Sequence, residues 1–316
     1  MKNQIEYSVV VPVMNEEENV ELLYNRITET LKPLRKRYEI IMVDDGSTDE
    51  TFNVLKTIHR KDRNLKVIKF RRNFGQSAAM AAGFERAKGK VVVSMDGDLQ
   101  NDPKDIPAMV EKLDEGYDII AGWRKNRKDK VIIRKTPSKI ANRIMRFLTG
   151  VQLHDTGCSL KVYRSEIIQK MRLYGEMHRF IPALARIEGA RISEMVVAHH
   201  ARQFGQSKYN ITRTFRVILD LTTLNFFIKY LNRPMHFFGM IGFAVNTLGL
   251  AMMIYSLWMM ANGVYDLEEV NVSLSVAFLM LTSGCLFVFF GLIASLIINT
   301  GDKKNSRLME YFTKTR

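Results

Sequence analysis

The sequence predicts a Rossmann-like α/β domain, a parallel sheet with helices on both faces, then juxtamembrane amphipathic helices and a two-helix C-terminal transmembrane hairpin. Three observations predict it. Short apolar runs alternate with amphipathic helical stretches from residue 7 to about residue 120, the pattern of repeated βα units. Polar motifs follow those runs, at the strand ends where open α/β sheets bind ligands. Two almost uncharged stretches then occupy residues 237–261 and 272–298, each long enough to cross the ~30 Å hydrocarbon core of a bilayer.

The strand-type runs are residues 7–13, 38–44, 65–70, 91–95 and 119–122. The first contains Pro12 and is too short for the apolar core of a signal peptide, so it reads as a strand. Residues 17–31 put Val20, Leu23, Ile27 and Leu31 on one helical face, and residues 50–60 read as a second helix. A third helical stretch, 73–83, carries Ala78, Ala79, Ala81, Ala82 and Gly83, small residues that let a helix approach a neighbour or a ligand closely. Further on, 132–149 is expected as a basic helix, 151–157 as a turn, 160–163 as a strand and 180–188 as a helix. Residues 207–234 mix aromatic, aliphatic and basic side chains, as helices lying in a membrane interface do. Pro234 marks the entry to the first span. The expected domains are therefore 1–206, 207–236 and 237–316. No internal repeat or low-complexity segment interrupts them.

Lys and Arg number 47 against 33 Asp and Glu, a formal net charge of +14. That balance suits nucleic acid, anionic lipid or phosphorylated substrates and does not choose among them. Cys158 and Cys285 fall in stretches of different character, so no disulfide framework is expected and a reducing compartment is the default. The segment 262–271 between the two spans holds Asp266, Glu268 and Glu269 and no Lys or Arg. Its flanks are basic, with Arg213, Arg216, Lys229 and Arg233 before and Lys303, Lys304, Arg307, Lys314 and Arg316 after. The positive-inside rule puts both termini and the large domain in the cytoplasm. The Asn271-Val272-Ser273 sequon is a chance match beside the membrane.

The strand-end motifs carry the chemistry. After the fourth run comes Asp96-Gly97-Asp98-Leu99-Gln100, two carboxylates one residue apart followed by an amide. At a strand end this spacing lets Asp96, Asp98 and Gln100 offer oxygens to one hard divalent cation, which keeps waters and takes further ligands from substrate phosphates. A diphosphate substrate is the expectation. Pro12-Val13-Met14-Asn15-Glu16 closes the first strand, with polar groups that suit either a base or ribose or a helix N-cap. Asp44-Asp45-Gly46-Ser47-Thr48-Asp49 closes the second; Asp45 can accept a uracil or guanine N–H, while Ser47–Asp49 also read as turn and capping residues. Arg71 and Arg72 precede the small-residue helix, and guanidinium groups suit phosphate. The basic loop from Gly122 through Trp123, Arg124, Lys125, Asn126 and Arg127, with Arg134 and Lys135, follows the fifth strand and is read as phosphate-binding rather than as a solvated face.

Taken in order, these motifs resemble those of the inverting family 2 glycosyltransferases with their nucleotide-binding A-type fold, and among them the polyprenyl-phosphate glycosyltransferases. The resemblance spans residues 5 to about 235, and the hairpin matches bacterial members. It implies that Pro12, Val13, Asn15, Glu16, Asp45, Gly75, Asp96 and Gly97 line the nucleotide. It also implies that Asp96, Asp98 and Gln100 hold Mg²⁺ or Mn²⁺ on the diphosphate. Asp155, in His154-Asp155-Thr156-Gly157-Cys158, matches an acid near the acceptor, where it orients the acceptor or acts as base; an Asp–Gly turn is the plainer reading. Arg124, Arg127, Arg134, Arg202, Ser207 and Lys208 are the phosphate and acceptor contacts, the last three in a segment able to close over two phosphates. Asp155, Asp98 and Arg124 are the catalytic candidates. Gly97 stands where many relatives carry Ala, a change not expected to affect ligation. The segment 176–182 looks more like the glucosyl-type bacterial branch than the aminoarabinose one.

The implied reaction is transfer of a sugar, glucose from UDP-glucose first, to undecaprenyl phosphate at the cytoplasmic face of a bacterial plasma membrane, by a multi-pass homo-oligomer, a tetramer by family resemblance. UDP-aminoarabinose, a UDP-N-acetylhexosamine and GDP-mannose are the alternative donors. A membrane-tethered nucleic-acid-binding protein would be as basic but has no use for two carboxylates at a strand end, so nucleic acid is not an expected partner. A flippase-associated subunit is the other class, though two spans without an intramembrane charge make poor material for a translocation path. Gly291 and Ser295, at helix-packing spacing, favour oligomerisation slightly.

Overall fold

Each predicted apolar run becomes a strand, because β-branched residues buried on both faces of a sheet fit the pleat. In β1 (Tyr7–Val13) the side chains of Val9, Val11 and Val13 enter one core, and Val10 enters the other. The computed structural model describes residues 4–125, 153–169, 171, 177–187, 189–201, 230 and 233–300. The chain divides into two compact units, residues 1–223 and 224–316.

The first unit runs β1, α1 (Val20–Leu31), β2 (Tyr38–Asp44), α2 (Thr51–Lys61), β3 (Leu65–Lys69), α3 (Gln76–Arg86) and β4 (Val91–Ser94). It continues through α4 (Ile106–Asp114), β5 (Ile119–Trp123), β6 (Lys161–Arg164), the one-turn α5 (Ser165–Ile168), α6 (Ile181–Ile187) and β7 (Ile192–Val196). The seven strands are ordered β3-β2-β1-β4-β6-β5-β7. Leu23 of α1, Leu55 of α2 and Met109 of α4 pack on one face, while Phe84 of α3, Ile168 of α5 and Ile181 of α6 pack on the other. The small residues of α3 do bring it close: a Cβ on Gly83 would lie 2.3 Å from Val10 Cγ1.

Two features depart from the expectation. The sheet is mixed, not purely parallel: β6 runs antiparallel between β4 and β5, pairing Ser94 with Lys161 and Ala121 with Lys161 across it. Strand β7, which pairs parallel with β5, has no continuous apolar run and was not expected. Helix α1 begins at Val20 rather than residue 17, because Glu16 and Asn19 form a turn whose Glu16 carbonyl accepts from Asn19 and Val20 N–H at 2.9 and 3.0 Å.

The order of strands decides where ligands go. The chain builds outward from β1 to β2 and β3, then returns to lay β4 on the other side of β1. The crevice at the carboxyl ends of β1 and β4 is therefore the topological switch point, where open α/β sheets bind ligands. Residues 14–16 and 95–98 leave the sheet there.

The second unit is a helical hairpin, α7 (Pro234–Ala261) and α8 (Leu267–Thr300). The apolar spans have mean hydropathies of 1.8 and 2.4, and only 11% and 17% of their most apolar windows are buried within the chain. These helices are thus long and apolar enough to cross a bilayer, with most side chains turned outward as lipid-facing helices require. They pack antiparallel through small residues: Gly242 faces Gly284, Gly249 faces Ala277, and Gly291 faces Met235 and Phe238. Gly291, read earlier as favouring oligomers, is thus occupied within the hairpin itself.

At the amino end of the sheet, Glu39 is 1% exposed and accepts from Ser8 Oγ at 2.6 Å and Lys88 N at 2.7 Å, with Lys66 as its ion-pair partner. Burial alone would raise its pKa, but the Lys66, Ser8 and Lys88 hydrogen bonds outweigh that and hold it low. A lowered folded pKa gives stability that is complete above the unfolded value and lost as pH falls through the folded one. Glu39→Gln is expected to cost about 1–3 kcal/mol near neutrality. It should also flatten the acid limb of stability against pH, measured by thermal unfolding across pH 3–7.

Candidate active site

The loops after β1 and β2 are laced together before they meet any ligand. Asn15 adopts a left-handed conformation, φ 55°, which Asn tolerates better than most residues. Its backbone N–H donates to Ser47 Oγ at 3.0 Å, and its Oδ1 accepts from Thr48 N at 2.9 Å. Glu16 N–H donates to Thr51 Oγ1 at 2.9 Å, and the Glu16 carboxylate accepts from Asn19 Nδ2. Pro12 is half-buried and Val13 buried beneath them. Asp45, expected to meet a base, is 4% exposed and holds the turn ahead of α3. Its carboxylate accepts from Phe74 N at 2.7 Å, Gly75 N at 3.0 Å and Asn73 Nδ2 at 3.1 Å. Both oxygens thus accept hydrogen bonds from the turn at 73–75.

Across the switch point, β4 delivers Asp96 and Asp98. Leu99 is buried in a left-handed conformation, φ 59°, and this turn folds the chain back so that Gln100 N–H reaches Asp98 Oδ1 at 3.3 Å. The Gln100 carbonyl accepts from His200 N at 2.9 Å, tying the motif to the segment after β7. Gly97 sits at a close approach: a Cβ there would lie 2.8 Å from Val13 Cγ1. An alanine, expected to leave ligation untouched, has to displace the Val13 methyl or the loop that carries both acids.

Asp96 is held by Gln76 Nε2, 2.6 Å from its Oδ1. Its pKa is raised, first by burial and then by the charge of Asp98; a Ser159 hydrogen bond and the charges of Arg124 and Lys161 oppose the rise. The Asp98 charge thus raises the proton affinity of Asp96, and a cation beside the pair would oppose that rise. Their hard oxygens suit Mg²⁺ or Mn²⁺. No cluster of three or more His, Cys, Asp or Glu side chains suited to a metal occurs among the described residues, so a cation here would take its other ligands from amide, water or phosphate oxygen.

Beside this pair, β5 and the turn before β6 bring Arg124 against Asp155. The guanidinium Nε and Nη2 donate to Oδ2 and Oδ1 at 2.7 and 3.0 Å, with both side chains 11% exposed. Arg124 backbone N–H and Gly157 N–H also donate to Asp155, at 3.4 and 3.2 Å. Burial disfavours the Arg124 charge, but the Asp155 hydrogen bonds and charge outweigh it and raise its pKa. A carboxylate so engaged is a poor base and a good anchor, which favours the orienting role for Asp155.

Sequence reasoning missed three contributors. Gln76 stood in a quoted motif without a role, and its neighbour Ser77 pairs with buried His178 at 2.7 Å. Ser159 hydroxyl accepts from Asn101 Nδ2 at 2.7 Å, and its carbonyl accepts from Ser94 Oγ at 2.7 Å. Lys161 is 3% exposed, its pKa lowered by burial, with Nζ donating to the Cys158 carbonyl. A lysine opening a strand carries no sequence signal of burial. Arg127, Arg134, Lys135, Arg202, Ser207 and Lys208 lie outside the described residues, as do the helices expected at 132–149 and over most of 207–234.

A fold of this topology, with an acidic pair at its switch point, is that of a ligand-binding α/β domain. The Glycosyl transferase family 2 profile matches residues 8–172; the chain belongs to that family and is a glycosyltransferase. It is 51% identical, over 79% of its length and 75% of the relative's, to dodecaprenyl-phosphate galacturonate synthase of Rhizobium johnstonii. It is 34% identical, over 92% and 88%, to undecaprenyl-phosphate 4-deoxy-4-formamido-L-arabinose transferase of Photorhabdus laumondii. Among solved structures it is similar to mannosyl-3-phosphoglycerate synthase from Rubrobacter xylanophilus, TM-score 0.56 at 14% identity over 70% of this chain and 74% of that one. Glucosyl-3-phosphoglycerate synthase from Mycobacterium tuberculosis with Mn²⁺, UDP and phosphoglyceric acid gives TM-score 0.55 at 18% identity, over 70% and 78%. At those identities the likeness concerns the fold.

Asp45→Ala is expected to release the turn at 73–75 and leave three donors unsatisfied, costing about 1–3 kcal/mol. Nucleotide affinity should fall with it. Hydrogen exchange at Phe74 and Gly75, beside calorimetric UDP binding, checks both.

Proposed function

We propose that this enzyme transfers a uronic acid, galacturonate first, from a nucleotide diphosphate sugar to a membrane-borne polyprenyl phosphate at the cytoplasmic face. The observation that carries the reading is the half-identical relative named for dodecaprenyl-phosphate galacturonate synthesis, which covers most of this chain. The second relative is named for another sugar on the same kind of lipid. Both support a polyprenyl phosphate acceptor, and they weigh against glucose, the donor expected from the segment at 176–182.

The transfer is a single inverting displacement. An oxygen of the lipid phosphate attacks the anomeric carbon as the bond to the nucleoside diphosphate breaks, and the electron pair leaves with that diphosphate. A phosphate acceptor is already anionic at neutral pH, so no strong base is needed. Asp96 and Asp98, with Gln100, would hold Mg²⁺ or Mn²⁺; when bound, such an ion neutralises charge on the leaving diphosphate. Asp155 keeps Arg124 beside that charge, where a preorganised cation is worth most. Asp45 and Asn15 shape the nucleoside pocket with Pro12, Val13, Glu16, Gly75 and Gly97. Arg127, Arg134, Arg202, Ser207 and Lys208 are proposed phosphate and acceptor contacts. The hairpin keeps the enzyme beside a lipid that cannot leave the bilayer, and the basic flanks of its helices favour cytoplasmic termini.

The test is a donor panel. Detergent-purified enzyme and undecaprenyl phosphate are incubated with labelled UDP-galacturonate, UDP-glucose or a UDP-aminoarabinose derivative, with Mg²⁺, Mn²⁺ or EDTA. Labelled lipid from UDP-galacturonate, abolished by EDTA, is the expected result; glucose in the lipid would restore the first expectation, and no lipid from any donor would sink the acceptor assignment. Asp98→Ala should lower turnover about 100-fold or more.

Ligating carboxylates must be ionised, and Asp96 keeps its proton to a higher pH than the usual ~3.9. Mn²⁺ affinity, read by electron paramagnetic resonance, is therefore expected to start falling above that value as pH is lowered. Affinity constant down to the ordinary carboxylate range would remove Asp96 from the ligand set.

A further inference from the structure

At the edge of the site two contacts run side by side between the same two segments. Arg124 and Asp155 form one. The residues immediately before them, Trp123 and His154, form the other, stacked with ring centroids 4.2 Å apart and planes 16° from parallel. Glu194 on β7 then grips His154 twice, accepting from its backbone N–H at 2.8 Å and from Nδ1. An ionised carboxylate can only accept, so this pair fixes a proton on Nδ1. The Glu194 carbonyl in turn accepts from Lys112 Nζ of α4 at 2.9 Å, and the Lys125 ammonium lies 5.7 Å from the centroid of the Trp123 ring.

The transfer step makes no use of His154, whose side chain is 56% exposed. Its partners nevertheless come from two strands outside its own turn, Trp123 on β5 and Glu194 on β7. A turn tied to β5 by the Arg124–Asp155 pair alone can still rotate about that pair. A second tie one residue away removes the rotation, and the anchor on β7 keeps the turn from lifting off the sheet.

We propose that His154 is a positioning residue. Stacked on Trp123 and held by Glu194, it sets the turn that presents Asp155, and through Asp155 the direction of Arg124. The inference rests on the reading of Arg124 as a contact to the departing diphosphate. Neither tie alone suffices, because a displacement of the order of 1 Å at a charged contact of this kind costs about 100-fold in rate.

The test uses the full-length enzyme carrying Trp258→Phe, which leaves Trp123 as the remaining one of two tryptophans. In that background His154→Ala is expected to raise Trp123 emission, since the stacked imidazole no longer quenches it. Turnover should fall about 10–100-fold with UDP affinity unchanged. Glu194→Gln, which keeps side-chain size, should give the same split on a smaller scale, and it carries the test if the alanine variant does not fold. His154→Phe, which restores the stack without the Nδ1 bond, should recover part of the rate. Full turnover in His154→Ala and Glu194→Gln, or parallel loss of turnover and UDP affinity, overturns the proposal. Activity of the Trp258→Phe parent separates the two questions. A wild-type enzyme and parent both inactive toward every donor overturn the donor and acceptor reading beneath the inference, whereas an active parent matched by His154→Ala overturns the positioning role alone.

Discussion

Asp96 and Asp98 repel one another, and much of the site is arranged around that repulsion. Burial and the neighbouring Asp98 charge disfavour the ionisation of Asp96, whose pKa is raised. The fold meets this with fixed dipoles and cations. Gln76 donates to Asp96, Ser159 stands beside it, and Arg124 and Lys161 lend positive charge from β5 and β6. These contributions oppose the rise in the pKa of Asp96 without cancelling it.

The reversed strand β6 makes that arrangement possible. By slipping antiparallel between β4 and β5, it places its own amino end, and the turn before it, beside the carboxyl ends of its neighbours. Asp155, Ser159 and Lys161 all arrive this way. A parallel strand in the same slot would have delivered those residues to the opposite end of the sheet, away from the acidic pair. The site thus belongs to two unlike halves: parallel β1, β2 and β4 with their loops on one side, and the β5–β6 corner with its Arg124–Asp155 pair on the other.

Several side chains whose types suggested substrate contact prove to brace other protein groups. Asn15 spends its amide oxygen on Thr48, and Asp45 spends its carboxylate on the turn ahead of α3. This does not distance them from function, since a pocket is only as well defined as the loops that wall it. Buried carboxylates satisfied by backbone N–H groups hold loops at fixed separations more firmly than exposed ones reaching for a ligand. His154, stacked on Trp123 and held by Glu194, follows the same principle beside the Arg124–Asp155 pair.

Local chemistry was legible in the linear chain. The β-branched runs marked β1 to β5 almost to the residue, because such side chains fit nothing so well as a doubly buried strand. The two apolar spans declared themselves by length, and Asp96-Gly97-Asp98 by its place after a strand. What the sequence could not determine was set by partners distant along the chain. The direction of β6 depends on the strands flanking it, and β7 owes its existence to pairing with β5 rather than to its own half-exposed composition. The burial of Lys161, the engagement of Asp45 and the stacking of Trp123 on His154 likewise follow from where other segments come to rest. Periodicity and spacing determine which elements form and which groups are available; only the tertiary structure decides which charges face each other, because electrostatic partnership depends on distance through space and not along the chain.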